Sequence, residues 1–317
     1  MNSWAEGFVD RDKKFVHEFQ TTFNSSFWEL YLHAVFRRFG FSFDWRHAAP
    51  DFLLGKDNTW LNVEATTANA AQGRPNEWDR DLSVDAVLGI SIPEINREAT
   101  IRLSNAITAK HRKYRDSYHK LNHVGGRPFV LAVSPFEQPF FNLQHDRPIR
   151  SLLYDYYVDE EAFQRQPDKL PAGPPGVSLG TIMKESGAEI ELGFFKEEAM
   201  EEVSAVLFSC VATWGKANAL SPGNPKSSYF DFVRTDGAGR PMPHSAVPKP
   251  AYHETLEDGL QIFHNPYARF PLDPALFRAE GVVQHYFDRD KDDWVYEGIA
   301  GALTWRQVRS HLPAGPT

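Results

Sequence analysis

Asp51 and Glu64 are two carboxylates whose spacing and setting allow them to share a divalent cation. Glu64 lies in Trp60-Leu-Asn-Val-Glu-Ala-Thr-Thr67, a run that alternates as a strand does, and Asp51 follows Pro50 at the start of the apolar stretch Phe52-Leu-Leu54. The connecting segment Gly55-Lys-Asp-Asn-Thr-Trp60 is short and rich in turn formers, which predicts an antiparallel hairpin. With Gly55 set against Trp60, Asp51 falls opposite Glu64. Side chains directly opposed share a face with Cβ atoms about 5 Å apart, within reach of one ion. A slip of one residue would separate them, so the pair depends on register.

Glu64 stands in an apolar, β-favouring run, where an unpaired buried carboxylate is expensive. Asp51 after Pro50 also fits ordinary turn punctuation. Hydrolysis of a phosphodiester needs a cation to neutralise developing charge. Mg²⁺, with Mn²⁺ as a substitute, takes one or two protein carboxylates plus waters and phosphate oxygens. A lysine near the attacking water would add stabilisation of the pentavalent transition state. Thr66 is two residues beyond Glu64 on the same strand face but carries no charge.

The candidate for that charge is Lys110. It falls on the stripe Leu103, Ala106, Ile107, Lys110 and Tyr114 of a helix expected over Pro93 to Tyr118, where a solvated lysine is out of place. The plain alternative is a side chain snorkelling from the helix edge. Lys113, about one turn further on, reads as peripheral. The segment Lys110 to Arg115, with Arg102 two turns earlier, is the most concentrated basic stretch and suits phosphate contacts, although a solvated helix face explains most of it.

The elements that would position these groups follow from pattern. Asp10 to Phe39 has helical character, with Phe27, Leu30, Tyr31, Ala34 and Val35 on one face and Asn24 or Ser25 as cap. Phe41 to Asp44 reads as a short strand, Asn69 to Asp85 as an exposed loop, and Arg127 to Ser134 as a buried central strand. In the second half, Ile190 to Phe195 and Val203 to Val211 read as strands, and 166–176 as a turn-rich loop. The tail from Gly259 through Trp305 reads as short strands and a final helix. The expected fold is a single α/β domain over 1–317, a mixed central sheet flanked by helices. Residues 136–317 add decorating strands, helices and loops packed on the same sheet.

Composition narrows the function classes. A formal net charge of −8 argues against coating nucleic acid by bulk positive charge, so any such contact must be local. The N-terminus lacks a basic region followed by an apolar core and no long apolar run occurs, so a soluble cytoplasmic protein is expected. The single Cys210 excludes disulfides within one chain and reads as an inert core thiol. None of the twelve histidines forms a His-Glu-x-x-His arrangement; His47 and His264 read first as loop and turn residues. Walker-type and Gly-x-Ser-x-Gly motifs are also missing.

The order Glu29 on a first helix, Pro50-Asp51, then Val63-Glu64-Ala65-Thr66 on the next strand, then a helix and a strand, resembles the PD-(D/E)XK nuclease superfamily. The resemblance covers residues 20–135 and implies a restriction-endonuclease-like core that cleaves nucleic acid, DNA ahead of RNA, with Mg²⁺. It makes Asp51 and Glu64 metal ligands, the Ala65 carbonyl a further ligand, and Glu29 an auxiliary acid. Lys110 would be the relocated catalytic lysine, with Arg102, Lys113 and Thr66 on the substrate side. Thr66 occupies the motif lysine's position, which leaves a relocated lysine or an inactive binding or scaffold protein. A homodimer is compatible with this reading. A different hydrolase, using the same acids with a histidine, is the third alternative.

Overall fold

The structure is a computed structural model and describes residues 1–11, 13–159, 162, 165, 176–222 and 228–310. It is an α/β fold built on an eight-stranded mixed sheet, in the order Ser42–Phe43 (β1), Phe52–Lys56 (β2), Thr59–Asn69 (β3), Phe129–Phe136 (β4), Ala205–Phe208 (β9), Leu260–His264 (β12), Val282–Asp288 (β13) and Asp293–Glu297 (β14); Tyr157–Val158 (β5) pairs with Gly176–Val177 (β6), and Thr181–Met183 (β7) with Glu189–Glu191 (β8), outside it. The hairpin pairs β2 (Phe52–Lys56) with β3 (Thr59–Asn69) antiparallel, Gly55 against Trp60 and Phe52 against Val63, the register expected. Its two-residue turn explains why the register holds. Asp57 and Asn58 both have positive φ, 49° and 63°, as a type I′ turn requires and as Asp and Asn tolerate.

β1 (Ser42–Phe43) lies at the outer edge, antiparallel to β2. On the other side β3 runs parallel to β4 (Phe129–Phe136), whose eight residues are all buried, in keeping with a central strand. The sheet continues through β9 (Ala205–Phe208), β12 (Leu260–His264), β13 (Val282–Asp288) and β14 (Asp293–Glu297). A separate antiparallel sheet, β11-β10-β15, comprises Pro241–Pro248, Ser228–Thr235 and Leu303–Ser310.

Helices cover both faces. α3 (Phe23–Arg38) packs Phe27, Trp28, Tyr31, Val35 and Phe36 on Phe52, Leu54, Leu61 and Val63, and Trp28 Nε1 donates to the Ala132 carbonyl at 3.0 Å. The opposite face buries Leu103, Ile107 and Tyr114 of α5 (Ile92–Asp116), together with α6 (Arg147–Tyr154), against β4 and β9. α5 starts where Ser91 accepts from the Glu94 amide, with proline in the first turn.

Several expectations are corrected. The helical stretch 10–39 is two helices, α2 (Phe15–Thr21) and α3, and α3 begins after Thr22. Neither Asn24 nor Ser25 caps it: the Asn24 amide donates to Glu77, and the Ser25 hydroxyl to the Thr22 carbonyl. The segment around Ile190 contributes only Glu189–Glu191, paired with Thr181–Met183 outside the main sheet. The expected final helix is strand β15 instead, because its residues pair with β10 over Ser228 to Arg234. The turn-rich loop falls almost wholly outside the described residues, at 166–175. Cys210 is buried and unpaired. Among the described residues no helix is long and apolar enough to cross a membrane.

Candidate active site

β2 ends at Phe52, so beyond Val63 strand β3 has no backbone partner on that side. Asp51 fills the gap with its side chain: Oδ2 accepts from the Ala65 amide at 2.7 Å. The N–H and C=O of one strand residue point to the same side, so the Ala65 carbonyl faces this gap as well. Alternation along β3 sends Val63 and Ala65 toward α3 and sends Glu64 toward α5.

Glu64 is 1% exposed and is met there by two ammonium groups. Lys110 Nζ donates to Glu64 Oε1 at 2.7 Å and Lys113 Nζ to the same oxygen at 3.0 Å. The spacing of three residues puts both lysines on one side of α5. Lys113, expected to be peripheral, is therefore a direct partner of the buried acid, its side chain half-exposed and its Nζ 4.8 Å from the centre of the Tyr118 ring. Glu64 Oε2 is buried without a hydrogen-bond partner.

Glu29 reaches the site from α3, on the opposite face of the sheet, and approaches it around the end of β2. Its carboxyl is pushed up to about 8 by burial, then by the charges of Asp51 and Glu18, against the opposing pull of Lys110 and Arg11. Asp51 is raised to about 6 by burial and by Glu64, while Lys110, the Ala65 amide and Lys113 pull it down. The physical reading is a run of acids short of positive charge. At neutral pH Glu29 holds its proton, whereas Asp51 is ionised.

Arg11 was invisible to sequence patterning. Its guanidinium donates to the carbonyls of His47, Pro50 and Asp51, the last at 2.9 Å, and so fixes the segment that delivers Asp51. Glu18 is a second unforeseen neighbour: with Arg11, Glu29 and Asp51 it lines a cavity of about 190 Å³. Tyr118 is a third, its phenol pushed up by burial and by the Glu64 and Asp51 charges. No local motif marks these residues, since each is tied to the site only through the fold.

The remaining candidates sit elsewhere. Arg102 donates to the carbonyls of Asn69 and Ala70, at 2.8 and 3.5 Å, and ties α5 to the end of β3. It stands eight residues, about 12 Å, along the helix from Lys110. Thr66 is half-buried on the Glu64 face, opposite Val133 in the ladder. His47 stacks on His123 with ring centroids 3.7 Å apart, beside the loop that Arg11 holds. His264, read as a turn residue, is instead buried at the end of β12 and hydrogen-bonded to Gln284 at 2.9 Å.

Among the described residues no three His, Cys, Asp or Glu side chains form a cluster able to hold a metal. What is present is a carboxylate pair plus a backbone carbonyl, a donor set that suits Mg²⁺, which keeps most of its ligands as water and substrate oxygens. The unpartnered Glu64 Oε2 is the atom that such an ion would satisfy. No known protein family, characterised protein or solved structure matches the chain.

Proposed function

We propose that this chain is a Mg²⁺-dependent nuclease, acting on DNA ahead of RNA, with a PD-(D/E)XK-like site in which the motif lysine has moved from strand to helix. The observation that carries the reading is the 2.7 Å contact between Lys110 and the buried Glu64, with Asp51 delivered to the same end of the hairpin. A lysine that merely snorkelled would point its ammonium to solvent. Asp51, Glu64 Oε2 and the Ala65 carbonyl would hold Mg²⁺, with Mn²⁺ as a substitute. Bound there, the ion supplies charge neutralisation at the scissile phosphate.

The chain's own groups do the rest. Lys110 orients the attacking water and offsets charge in the transition state, and Lys113, half in solvent, meets the incoming phosphate. Glu29, neutral at pH 7, adds no further repulsion and holds a proton beside Asp51. Arg11 keeps Asp51 in position through backbone carbonyls alone.

Supercoiled plasmid and single-stranded DNA, incubated with Mg²⁺ or Mn²⁺, test the reading. The wild type should cleave at least one of them. Glu64→Gln and Lys110→Met should each lose about a thousandfold in rate, the scale of removing one transition-state stabiliser. Equal cleavage by wild type and both variants would refute the assignment. A folded wild type inert on DNA and RNA alike would favour the non-catalytic scaffold.

A further inference from the structure

Positive charge gathers where the end of α5 and the segment after it meet the hairpin. Residues 110–128 hold six lysines and arginines and one acid, Asp116, in a chain of formal net charge −8. Only some of these cations serve the Asp51–Glu64 side. Lys110 is held by Glu64, and at 100° per residue Arg112 and Arg115 leave α5 on its other flank, Arg115 toward Glu202. Lys113 and Arg127 remain, with Lys120 exposed in the connection from one to the other. Lys113 contacts Glu64 yet keeps half its side chain in solvent. Among the described residues the Arg127 guanidinium makes no hydrogen bond or ion pair.

Arg127 is placed by the hairpin. Trp60, Asn62 and Glu64 alternate onto the α5 side of β3, so Trp60 stands about 13 Å from Glu64 along the strand. The Arg127 guanidinium lies over the Trp60 ring, 5.4 Å from its centre. The indole in turn leans across Gly55, where a Cβ would meet it at 3.0 Å. Trp60 is thus the support, and the group left to meet a ligand is a planar cation with five uncommitted donors. Its backbone is fixed as well. Asn62 Nδ2 donates to the Val124 carbonyl at 3.1 Å, the Asn62 amide to the Pro128 carbonyl at 2.9 Å, and His123 Nε2 to the Ala49 carbonyl at 2.8 Å. The segment 123–128 is therefore tied both to β3 and to the loop that delivers Asp51.

A guanidinium plane can stack on an unpaired base and bond to its edge, and a base inside a duplex exposes neither its face nor its pairing edge. A duplex also brings two phosphate backbones, and affinity grows with the phosphates neutralised. The cations on this side are few and the chain as a whole is acidic. We propose that this surface binds a single-stranded polynucleotide as the substrate, one phosphate meeting Lys113 beside Glu64 and a base of the same strand lying on Arg127. Its role as substrate rests on the nuclease reading, whereas the binding requires no metal.

Fluorescence anisotropy in EDTA tests the proposal, with labelled DNA and RNA strands of about 16 nucleotides, the corresponding DNA duplex and an abasic DNA strand. At least one of the two intact strands should bind about tenfold more tightly than the duplex and the abasic strand, and the tighter of the two identifies the polymer. Arg127→Lys keeps the charge and gives up the plane. It should bind that strand about tenfold more weakly, with the same salt dependence and the same melting temperature, since Arg127 has no hydrogen bond to lose. Trp60→Leu should weaken binding likewise by freeing the guanidinium. No binding by either strand, a duplex or abasic strand bound as tightly as the intact ones, or Arg127→Lys indistinguishable from wild type would each overturn the proposal. Strands bound as stated but never cut with Mg²⁺ or Mn²⁺ would sink the nuclease reading and leave the binding surface standing, and cutting of duplex with no preference for single strands would do the reverse.

Discussion

Lys110→Met should cost stability out of proportion to a surface lysine, because the group it abandons cannot reach water. Glu64 is 1% exposed, whereas the Lys110 and Lys113 side chains are 24% and 49% exposed. A hydrogen bond to a charged group contributes roughly 1.5–3 kcal/mol. Lys113 remains at 3.0 Å in the variant, so the net loss should be about 2 kcal/mol. Lys113→Met, removing the more solvated partner, should cost under about 1 kcal/mol. The double variant strands a buried carboxylate and should lose about 3–5 kcal/mol, more than the sum of the singles. Adding Glu64→Gln to the double variant should recover most of that loss, since the charge is gone. Urea denaturation at pH 7 in EDTA, read as midpoints at constant slope, measures all four. Strictly additive single losses, or no recovery with Glu64→Gln, would refute the claim that the two ammonium groups hold Glu64 in place.

Other perturbations follow from the same geometry. Thr66→Lys in the Lys110→Met background should restore nicking at least about tenfold, since residue 66 lies about 7 Å along β3 on the Glu64 face; no gain would place the useful ammonium on the helix alone. Glu29 is raised in the folded state, so its contribution to stability is present below its unfolded value near 4.5 and is lost as pH rises through about 8. Melting temperatures of wild type and Glu29→Gln in EDTA should therefore diverge in favour of the variant between those limits, and parallel curves would contradict the shift. Arg11→Ala should lose about 1–2 kcal/mol and weaken Mg²⁺ binding, because the backbone before Asp51 is released; isothermal titration with Mg²⁺ checks it. Lys216, 0% exposed and 2.6 Å from the equally buried Glu254, should cost about 2 kcal/mol as Lys216→Met in a urea melt, because Arg306 still pairs with Glu254.

The hairpin could be read from sequence because every cue to it is local. Period-two alternation, an Asp-Asn turn and the length of the connection together fix one register. α5 was legible for the same reason, and Lys110 could be singled out because it interrupts an apolar stripe. Arg11 could not, since its three acceptors lie 36 to 40 residues away and are carbonyls, which carry no residue identity. The end of the chain was misread because Thr304-Trp-Arg-Gln-Val-Arg309 mixes helix formers with β formers. Pairing with β10, Phe230 against Val308, decides the matter.

The placement of the three acids, Asp51 and Glu64 at the hairpin and Glu29 on α3, decides how each is charged. Asp51 and Glu64 meet because β2 stops one residue short of a full ladder, leaving the Ala65 amide to be capped by a carboxylate instead of a backbone carbonyl. Glu29 comes from the other face, where burial and the charges of Asp51 and Glu18 outweigh the pull of Lys110 and Arg11 and keep its proton on at neutral pH. That asymmetry leaves a pair, not a triplet, of charged carboxylates. Lys110 and Lys113 both take Glu64 Oε1, so the buried demand for positive charge that remains is at Oε2, on the acid opposite Asp51. A strand-borne lysine at position 66 would have to reach Glu64 along its own strand, whereas α5 delivers two ammonium groups from across the site, both to Oε1, and neither takes Oε2.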